Sequence, residues 1–172
     1  MNNLDFDIVI VGLGPTGGTL ANLLAMNNVS VLILEKEANI YNLPRAVHFD
    51  DEIMRVFQTI GITKSLSKKL IINKGTKFID DNGELLLDWP RPKKITENGW
   101  YPSYRFHQPD LERSLRHNLK KYKNATIVQN AEVYKTINKK DYVEVNYKNT
   151  KTNKIHSFKS KYLIGCDGAN SF

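Results

Sequence analysis

Four residues near the start of the chain have the types and spacing to hold a dinucleotide. Gly12, Gly14 and Gly17 follow the pattern Gly-x-Gly-x-x-Gly, and Glu35 stands 18 residues beyond the last of them. Gly12 lets the chain turn sharply out of a strand, Gly14 lets the backbone approach a pyrophosphate, and Gly17 lets the following helix pack closely on the strand. The helix start then offers unpaired N–H groups and a partial positive charge to phosphates. A carboxylate at Glu35 can accept hydrogen bonds from ribose hydroxyls, and it would repel a 2′-phosphate.

Glycines at this spacing also occur in ordinary tight turns, so the context decides. The β-branched run Asp7-Ile-Val-Ile-Val11 precedes them, a Leu- and Ala-rich helix over Thr19–Met26 follows, and Val31-Leu-Ile-Leu-Glu35 is a second apolar run ending in the acid. Strand, glycine turn, helix and strand form one βαβ unit, which argues for the dinucleotide.

Other chemistry-bearing residues point elsewhere or nowhere. The lone Cys166 cannot form an internal disulfide or a cysteine-rich metal site, and beside Gly165 it reads as a small packed side chain rather than a nucleophile. His48, His107, His117 and His156 have no metal-ligand spacing, so they read as solvated or hydrogen-bonding imidazoles. Ser171 has no Gly-x-Ser-x-Gly context, which removes a hydrolase reading. The net charge of +7 arises from 25 scattered Lys and Arg residues, with pairs at 68–69, 93–94, 120–121 and 139–140; this is a solvated surface, and no nucleic acid is expected as partner. At 41 % apolar and 25 % charged residues over 172 positions, the composition is that of one globular domain. No apolar run approaches the roughly 18–20 residues of a membrane span, and Asp5 and Asp7 stand where a signal peptide would be basic. The expectation is a cytoplasmic protein.

Residues 36–46 are polar and aperiodic, hence a loop. Asp50 and Asp51 are N-cap candidates for a helix whose apolar stripe is Ile53, Val56, Phe57 and Ile60, ended by Gly61. A strand-rich segment over about 70–106 reads as an insertion in a domain that spans 1–172. In it Lys77–Ile79 and Glu84–Leu87 flank Asn82-Gly83 as a hairpin, and Trp89-Pro-Arg-Pro92 is expected to break the ladder. The burial of Trp100, Tyr101 and Tyr104 is open at this level. Pro109 opens another helix, with Asp110 and Glu112 in its first turn and Leu111, Leu115 and Leu119 on one face. Gln108 therefore lies at a helix start. Short strands follow at 125–128, 132–137, 142–147 and 155–158, and Tyr162-Leu-Ile-Gly165 runs into Cys166-Asp167-Gly168. The fold class is α/β in three layers, with the strands at 7–11, 31–34, 126–128 and 162–164 in a parallel Rossmann-like sheet and the 131–158 meander covering it.

Several separated motifs together resemble one family. Val11-Gly-Leu-Gly-Pro-Thr-Gly-Gly-Thr-Leu-Ala-Asn-Leu-Leu24, Glu35-Lys36, Leu43-Pro-Arg-Ala-Val-His-Phe-Asp-Asp-Glu52, Phe106-His-Gln-Pro-Asp-Leu-Glu112 and Gly165-Cys-Asp-Gly-Ala-Asn-Ser171 occur in the order seen in the class A FAD-dependent aromatic hydroxylases. The chain is similar to their N-terminal part, and is most similar to the branch that hydroxylates 3-(3-hydroxyphenyl)propionate. The resemblance implies that Gly12, Gly14 and Gly17, with Pro15 and Thr16 between them, hold the FAD pyrophosphate, and that Glu35 and Lys36 lie at the adenosine ribose. Arg45 would come close to the flavin half, Gln108 to the ribityl or pyrophosphate region, and Asp167 with Gly168 would support both the FAD site and the passage of NAD(P)H. The implied reaction is reduction of FAD by NAD(P)H followed by oxygen transfer to a small electron-rich aromatic substrate.

Two features of the family are not found in the 172 residues: a second Gly-Asp flavin motif with its helix, and most of the substrate-binding sheet. A further C-terminal part, or a second copy of the chain in a homodimer, would have to supply them, and the chain alone is not expected to hydroxylate. Two other readings stay open. The same FAD could serve a reductase of isoprenoid double bonds or a halogenase, or the chain could be a non-catalytic nucleotide-binding remnant.

Overall fold

The computed structural model describes residues 4–169 and 171, so Asn170 of the closing motif lies outside the described residues. In chain order the elements begin with β1 (Phe6–Val11), α1 (Pro15–Met26), β2 (Val31–Glu35), β3 (His48–Phe49), α2 (Asp51–Thr59), α3 (Thr63–Leu66) and β4 (Ile71–Ile72). They continue with β5 (Gly75–Ile79), β6 (Leu85–Pro90), β7 (Tyr104–Arg105), α4 (Gln108–Leu119), β8 (Ala125–Gln129), β9 (Ala131–Asn138), β10 (Val143–Asn149) and β11 (Ile155–Gly165). They fall into two compact units, one formed by residues up to 43 together with 111 onward, the other by Pro44–Asp110.

The first unit is a six-stranded sheet in the order β8-β2-β1-β11-β10-β9. β8, β2, β1 and β11 run parallel, with Ile8–Val11 beside Val31–Leu34 as the βαβ pattern requires. Strands of a parallel sheet are apolar at every position because both faces are covered. Here the alternation divides them: Val9, Val11, Leu32 and Leu34 pack with Ala131, Val133, Val145 and Tyr147 of the meander, whereas Ile10, Val31 and Ile33 pack with Ala21, Ala25 and Leu119 of the helices. Helices, parallel strands and meander are thus the three layers.

The meander is also continuous with the sheet it covers. The sequence suggests two strands between 155 and 164, but β11 is one strand of 11 residues. Its first half pairs antiparallel with β10 and its second half parallel with β1, and Ser160 belongs to both ladders, opposite Val143 and opposite Phe6. Ser160 is fully buried and its hydroxyl donates to the Tyr162 carbonyl at 2.9 Å, so the hydroxyl is satisfied where the strand changes partner.

In the second unit, α2 is capped as expected, with Asp50 Oδ1 accepting from Ile53 N at 3.0 Å. Gly61, at φ +82°, ends the helix, donating to Gln58 while Ile62 N reaches back to the Phe57 carbonyl. The buried face differs from expectation: it is Met54, Phe57 and Ile60, and Ile53 is exposed. Met54 is apolar at the same period, one position along, and tertiary packing selects it. Replacing Asp50 by Ala leaves the Ile53 N–H without its cap and is expected to cost about 1 kcal/mol; a denaturant titration of the variant measures it.

β5 and β6 form the expected hairpin, with Gly83 at φ +85° and Asp80 Oδ1 holding the turn through Asn82 N and Glu84 N. The ladder is not broken at Trp89. It runs on to Pro90 opposite Gly75, because the proline sits at the last pair of a two-stranded sheet where no N–H is demanded of it. Tyr104 is buried against Phe49, and Trp100 and Tyr101 are half-buried. Among the described residues no helix is long and apolar enough to cross a membrane.

Candidate functional site

The glycine turn leaves the C-terminal end of β1, between the ends of β2 and β11. Gly12 has φ +96°, a conformation that side chains rarely adopt, and a Cβ there would stand 2.4 Å from the Cys166 carbonyl oxygen. A Cβ on Gly17 would stand 2.1 Å from the carbonyl oxygen of Gly12. These two glycines are required by backbone packed against backbone. Gly14 differs: among the described residues a Cβ there meets nothing within 4 Å. It is the N-cap of α1, in extended conformation, with no side chain of the described residues capping the helix and Pro15 in the first turn. A helix start without a capping side chain, fronted by a residue with open space before it, suits an anion.

Glu35 ends β2 and is 8 % exposed. Its Oε2 accepts from Leu13 N at 2.7 Å and its Oε1 from Glu37 N at 2.9 Å. The acid therefore ties the glycine turn to the loop after β2, a role its position in the sequence does not announce. The Leu13 carbonyl is held from the other side by Arg116 Nη2 at 3.3 Å. Arg116 is paired with Glu112 at 3.5 Å, one helical turn earlier. The peptide groups on either side of the Leu13 Cα are thus gripped, at the N–H by a carboxylate and at the C=O by a guanidinium. Arg116 is the residue that sequence reasoning misses: its i, i+4 relation to Glu112 is readable, but its partner lies 103 residues away.

Arg116 also lines a groove of about 820 Å³, together with Arg113, Lys120, Ala38, Asn39 and Gln129 among others. Gln129 Nε2 donates to the Ala38 carbonyl at 2.8 Å and so fixes the loop that forms one wall. Three cationic side chains give the groove a basic wall. Lys36 and Thr16 are exposed, and Pro15 is half-buried.

At the end of β11, Cys166 N donates to the Val11 carbonyl at 2.7 Å, extending the parallel ladder by one rung. Asp167 Oδ1 accepts from the Ser171 hydroxyl at 2.9 Å, and Gly168 has φ +85°. Burial, with a smaller contribution from the neighbouring Asp167 charge, raises the Cys166 thiol above its ordinary pKa. The thiol therefore ionises at higher pH than a free cysteine, so alkylation by iodoacetamide at pH 8 is expected to be slower than for free cysteine, as mass spectrometry would read. The structure thus places Gly12, Gly14, Pro15, Thr16, Gly17, Glu35, Lys36, Asp167 and Gly168 at the ends of three adjacent strands.

Arg45 and Gln108 belong to the second unit and are brought together there. Gln108 is 4 % exposed, and its Oε1 accepts from both Arg45 N and Ala46 N at 2.9 Å. The amide oxygen therefore shapes the Pro44–Ala46 loop, and the Arg45 side chain is exposed.

Residues 5–172 match the family model described as FAD binding domain. The chain belongs to this family. Among relatives of the FAD-binding domain, it is 34 % identical over 167 residues to a protein of Rhodococcus jostii (strain RHA1) named "Probable NADH-specific resorcinol 4-hydroxylase", covering 95 % of this chain and 31 % of that protein. It is 32 % identical over 167 residues to the 3-(3-hydroxy-phenyl)propionate/3-hydroxycinnamic acid hydroxylase of Mycolicibacterium gilvum (strain PYR-GCK), covering 97 % and 28 %. The crystal structure of p-nitrophenol 4-monooxygenase from Pseudomonas putida superimposes with a TM-score of 0.86 at 23 % identity, over 99 % of this chain and 42 % of that one; it shares the fold. The chain spans less than a third of the length of these curated relatives.

Proposed function

We propose that the chain is the FAD-binding part of an NAD(P)H-dependent flavoprotein monooxygenase that hydroxylates a phenolic ring. The observation that carries this reading is the division of labour among the three glycines. Gly12 and Gly17 are needed for backbone packing, whereas Gly14 faces open space at the uncapped start of α1, as a residue reserved for a phosphate would. In this reading the pyrophosphate of FAD lies against Gly14, Pro15, Thr16 and Gly17, with the partial positive charge of α1 behind it. The carboxylate of Glu35 takes ribose hydroxyls with the lone pairs left beside its two backbone bonds, Lys36 flanks it, and the basic groove containing Arg116 receives the nucleotide end. The same reading gives Arg45 a role at the flavin half and Gln108, which fixes the Arg45 loop, a role at the ribityl or pyrophosphate region, and has Asp167 with Gly168 support the FAD site and the passage of NAD(P)H.

Bound FAD supplies hydride acceptance from NAD(P)H and oxygen activation. The chain's own residues bind and orient it: the backbone of the glycine turn is held at Leu13 before the cofactor arrives, which removes an ordering cost from binding. Resorcinol and 3-(3-hydroxyphenyl)propionate, named for the relatives, define the class of substrate proposed for the whole protein.

The test is retention of flavin. The purified chain, or the longest soluble form of the protein, is expected to be yellow and to bind FAD in calorimetric titration with higher affinity than NADH or NADPH. A colourless protein that binds NADH as well as FAD overturns the reading.

A further inference from the structure

In the second unit an arginine and a histidine stand side by side on one rung of a short sheet, and both are held from behind by buried neutral groups. His48 in β3 pairs with Arg105 in β7, and Arg105 pairs in turn with Ile71 in β4. Directly opposed residues share one face, with Cβ atoms about 4.5–5.5 Å apart. Arg105 is exposed, yet its Nε donates to Asn73 Oδ1 at 3.2 Å. Asn73 is 7 % exposed, and its Nδ2 donates to Ser103 Oγ at 2.9 Å. Ser103 is fully buried, and its Oγ lies 2.7 Å from His48 Nε2. A backbone bond from Asn73 N to the Ser103 carbonyl ties the two segments together, and Gly75 N donates to Asn73 Oδ1 and helps fix that side chain.

Ser103 Oγ accepts from Asn73 Nδ2 and shares a hydrogen bond with His48 Nε2 whose direction follows the ring's tautomer. Nδ1 of His48 and the two terminal nitrogens of Arg105 have no partner among the described residues. A surface arginine left to water does not need a buried asparagine to hold its Nε. Held this way, its remaining edge is the fork that fits a carboxylate with two parallel hydrogen bonds.

The rung also stands at a telling place. Phe106 N donates to the Val47 carbonyl, continuing the ribbon from His48 and Arg105 toward Gln108, whose side chain holds Arg45 and Ala46. Three residues of extended chain span roughly 10 Å, about the reach of a phenol with a short acid side chain. We propose that His48 and Arg105 form a clamp for the carboxylate of a phenolic acid substrate, whose ring extends toward the Arg45 end of the same ribbon. The proposal rests on the reading of the chain as part of an aromatic hydroxylase, and it assigns the discrimination between acidic and neutral phenols to these two side chains.

The experiment is an NMR titration of the FAD-supplemented chain, following the Arg105 Nε–H and the His48 ring. Three probes are compared: 3-(3-hydroxyphenyl)propionate, its neutral counterpart 3-(3-hydroxyphenyl)propan-1-ol, and inorganic phosphate. The acid is expected to shift both signals saturably and to bind roughly tenfold or more tightly than the alcohol, the usual worth of a charge-assisted pair. Arg105→Gln should remove that preference and Arg105→Lys should keep part of it, with amide spectra confirming that both variants fold. Equal affinity for acid and alcohol overturns the clamp, as does acid binding that leaves both signals unmoved. Phosphate displacing the acid at equal concentration also overturns it, by assigning the site to a cofactor phosphate. Flavin absorbance read on the same samples keeps the two readings separate: acid binding at this rung without flavin overturns the hydroxylase and with it the substrate role of the clamp, and flavin without acid binding overturns the clamp alone.

Discussion

Gly17→Ala is expected to unfold the first unit at temperatures where the parent chain is intact, whereas Gly14→Ala is expected to leave the fold alone and weaken FAD. The methyl that Gly17→Ala adds would stand 2.1 Å from the Gly12 carbonyl oxygen, 3.1 Å from its carbonyl carbon and 3.2 Å from Cys166 Cβ. Backbone atoms cannot rotate aside as a side chain can. Either α1 moves off the sheet, which opens the contacts of Ala21 and Ala25 with Ile10 and Ile33, or the turn at Gly12 opens, which breaks the 2.8 Å bond from Gly12 N to the Leu34 carbonyl. Overpacking of this kind costs about 3 kcal/mol, and for a chain of this size that lowers Tm by roughly 6–12 °C. At Gly14 the added methyl meets no atom of the described residues within 4 Å, so Tm should stay within about 2 °C of the parent's. It would occupy the space proposed for the pyrophosphate, and loss of one or two charge-assisted hydrogen bonds weakens FAD roughly 10- to 100-fold. Thermal melts followed by circular dichroism, with flavin titrations beside them, separate the two. A Gly17→Ala chain that melts with the parent would mean that α1 and β1 are not packed backbone to backbone.

What was legible in the sequence is what is local or periodic. The unit from Phe6 to Glu35 is contiguous, and the neighbours of Gly12 and Gly17 lie within a few residues or at an adjacent strand end. The apolar runs Ile8–Val11 and Val31–Leu34 announce burial on both faces, but they cannot say which alternate set meets helices and which meets the meander. The strand β11 was hidden because Lys159-Ser160-Lys161 reads as a polar break. Its two lysines are exposed while Ser160 satisfies its hydroxyl within the strand, and a buried serine leaves no mark in a hydropathy pattern. On α2, Ile53 and Met54 compete for one stripe, and only the packing partner decides. The candidate residues of each unit divide the same way. Gly12, Gly14, Gly17 and Glu35 announce themselves by spacing, whereas Arg116, Asn73, Ser103 and Arg105 act through partners that no spacing rule connects. Gln108 was legible as a helix-start polar residue, but the two N–H groups it holds lie 62 and 63 residues away.

Glu35→Ala is expected to reduce both stability and FAD affinity, and the two losses can be told apart. The carboxylate accepts from Leu13 N at 2.7 Å and Glu37 N at 2.9 Å. Leu13 is 1 % exposed, so its N–H is left without a partner and with little access to water, at a cost of about 1–3 kcal/mol. Part of any fall in FAD affinity would then reflect a loosened turn rather than a lost ribose contact. Glu35→Gln sharpens the question, because its single carbonyl oxygen can keep one of the two N–H groups while its NH₂ must face the other. Its stability should lie between those of the parent and Glu35→Ala. The ribose contact itself is isolated by pairing the variant with FAD lacking the adenosine 2′-hydroxyl in a double-mutant cycle. If Glu35 accepts from that hydroxyl, the parent should lose about 1–2 kcal/mol on its removal, and the Glu35→Gln chain clearly less. Purely additive losses would restrict Glu35 to holding the glycine turn, and would leave the adenosine end of FAD to be fixed by the basic groove around Arg116.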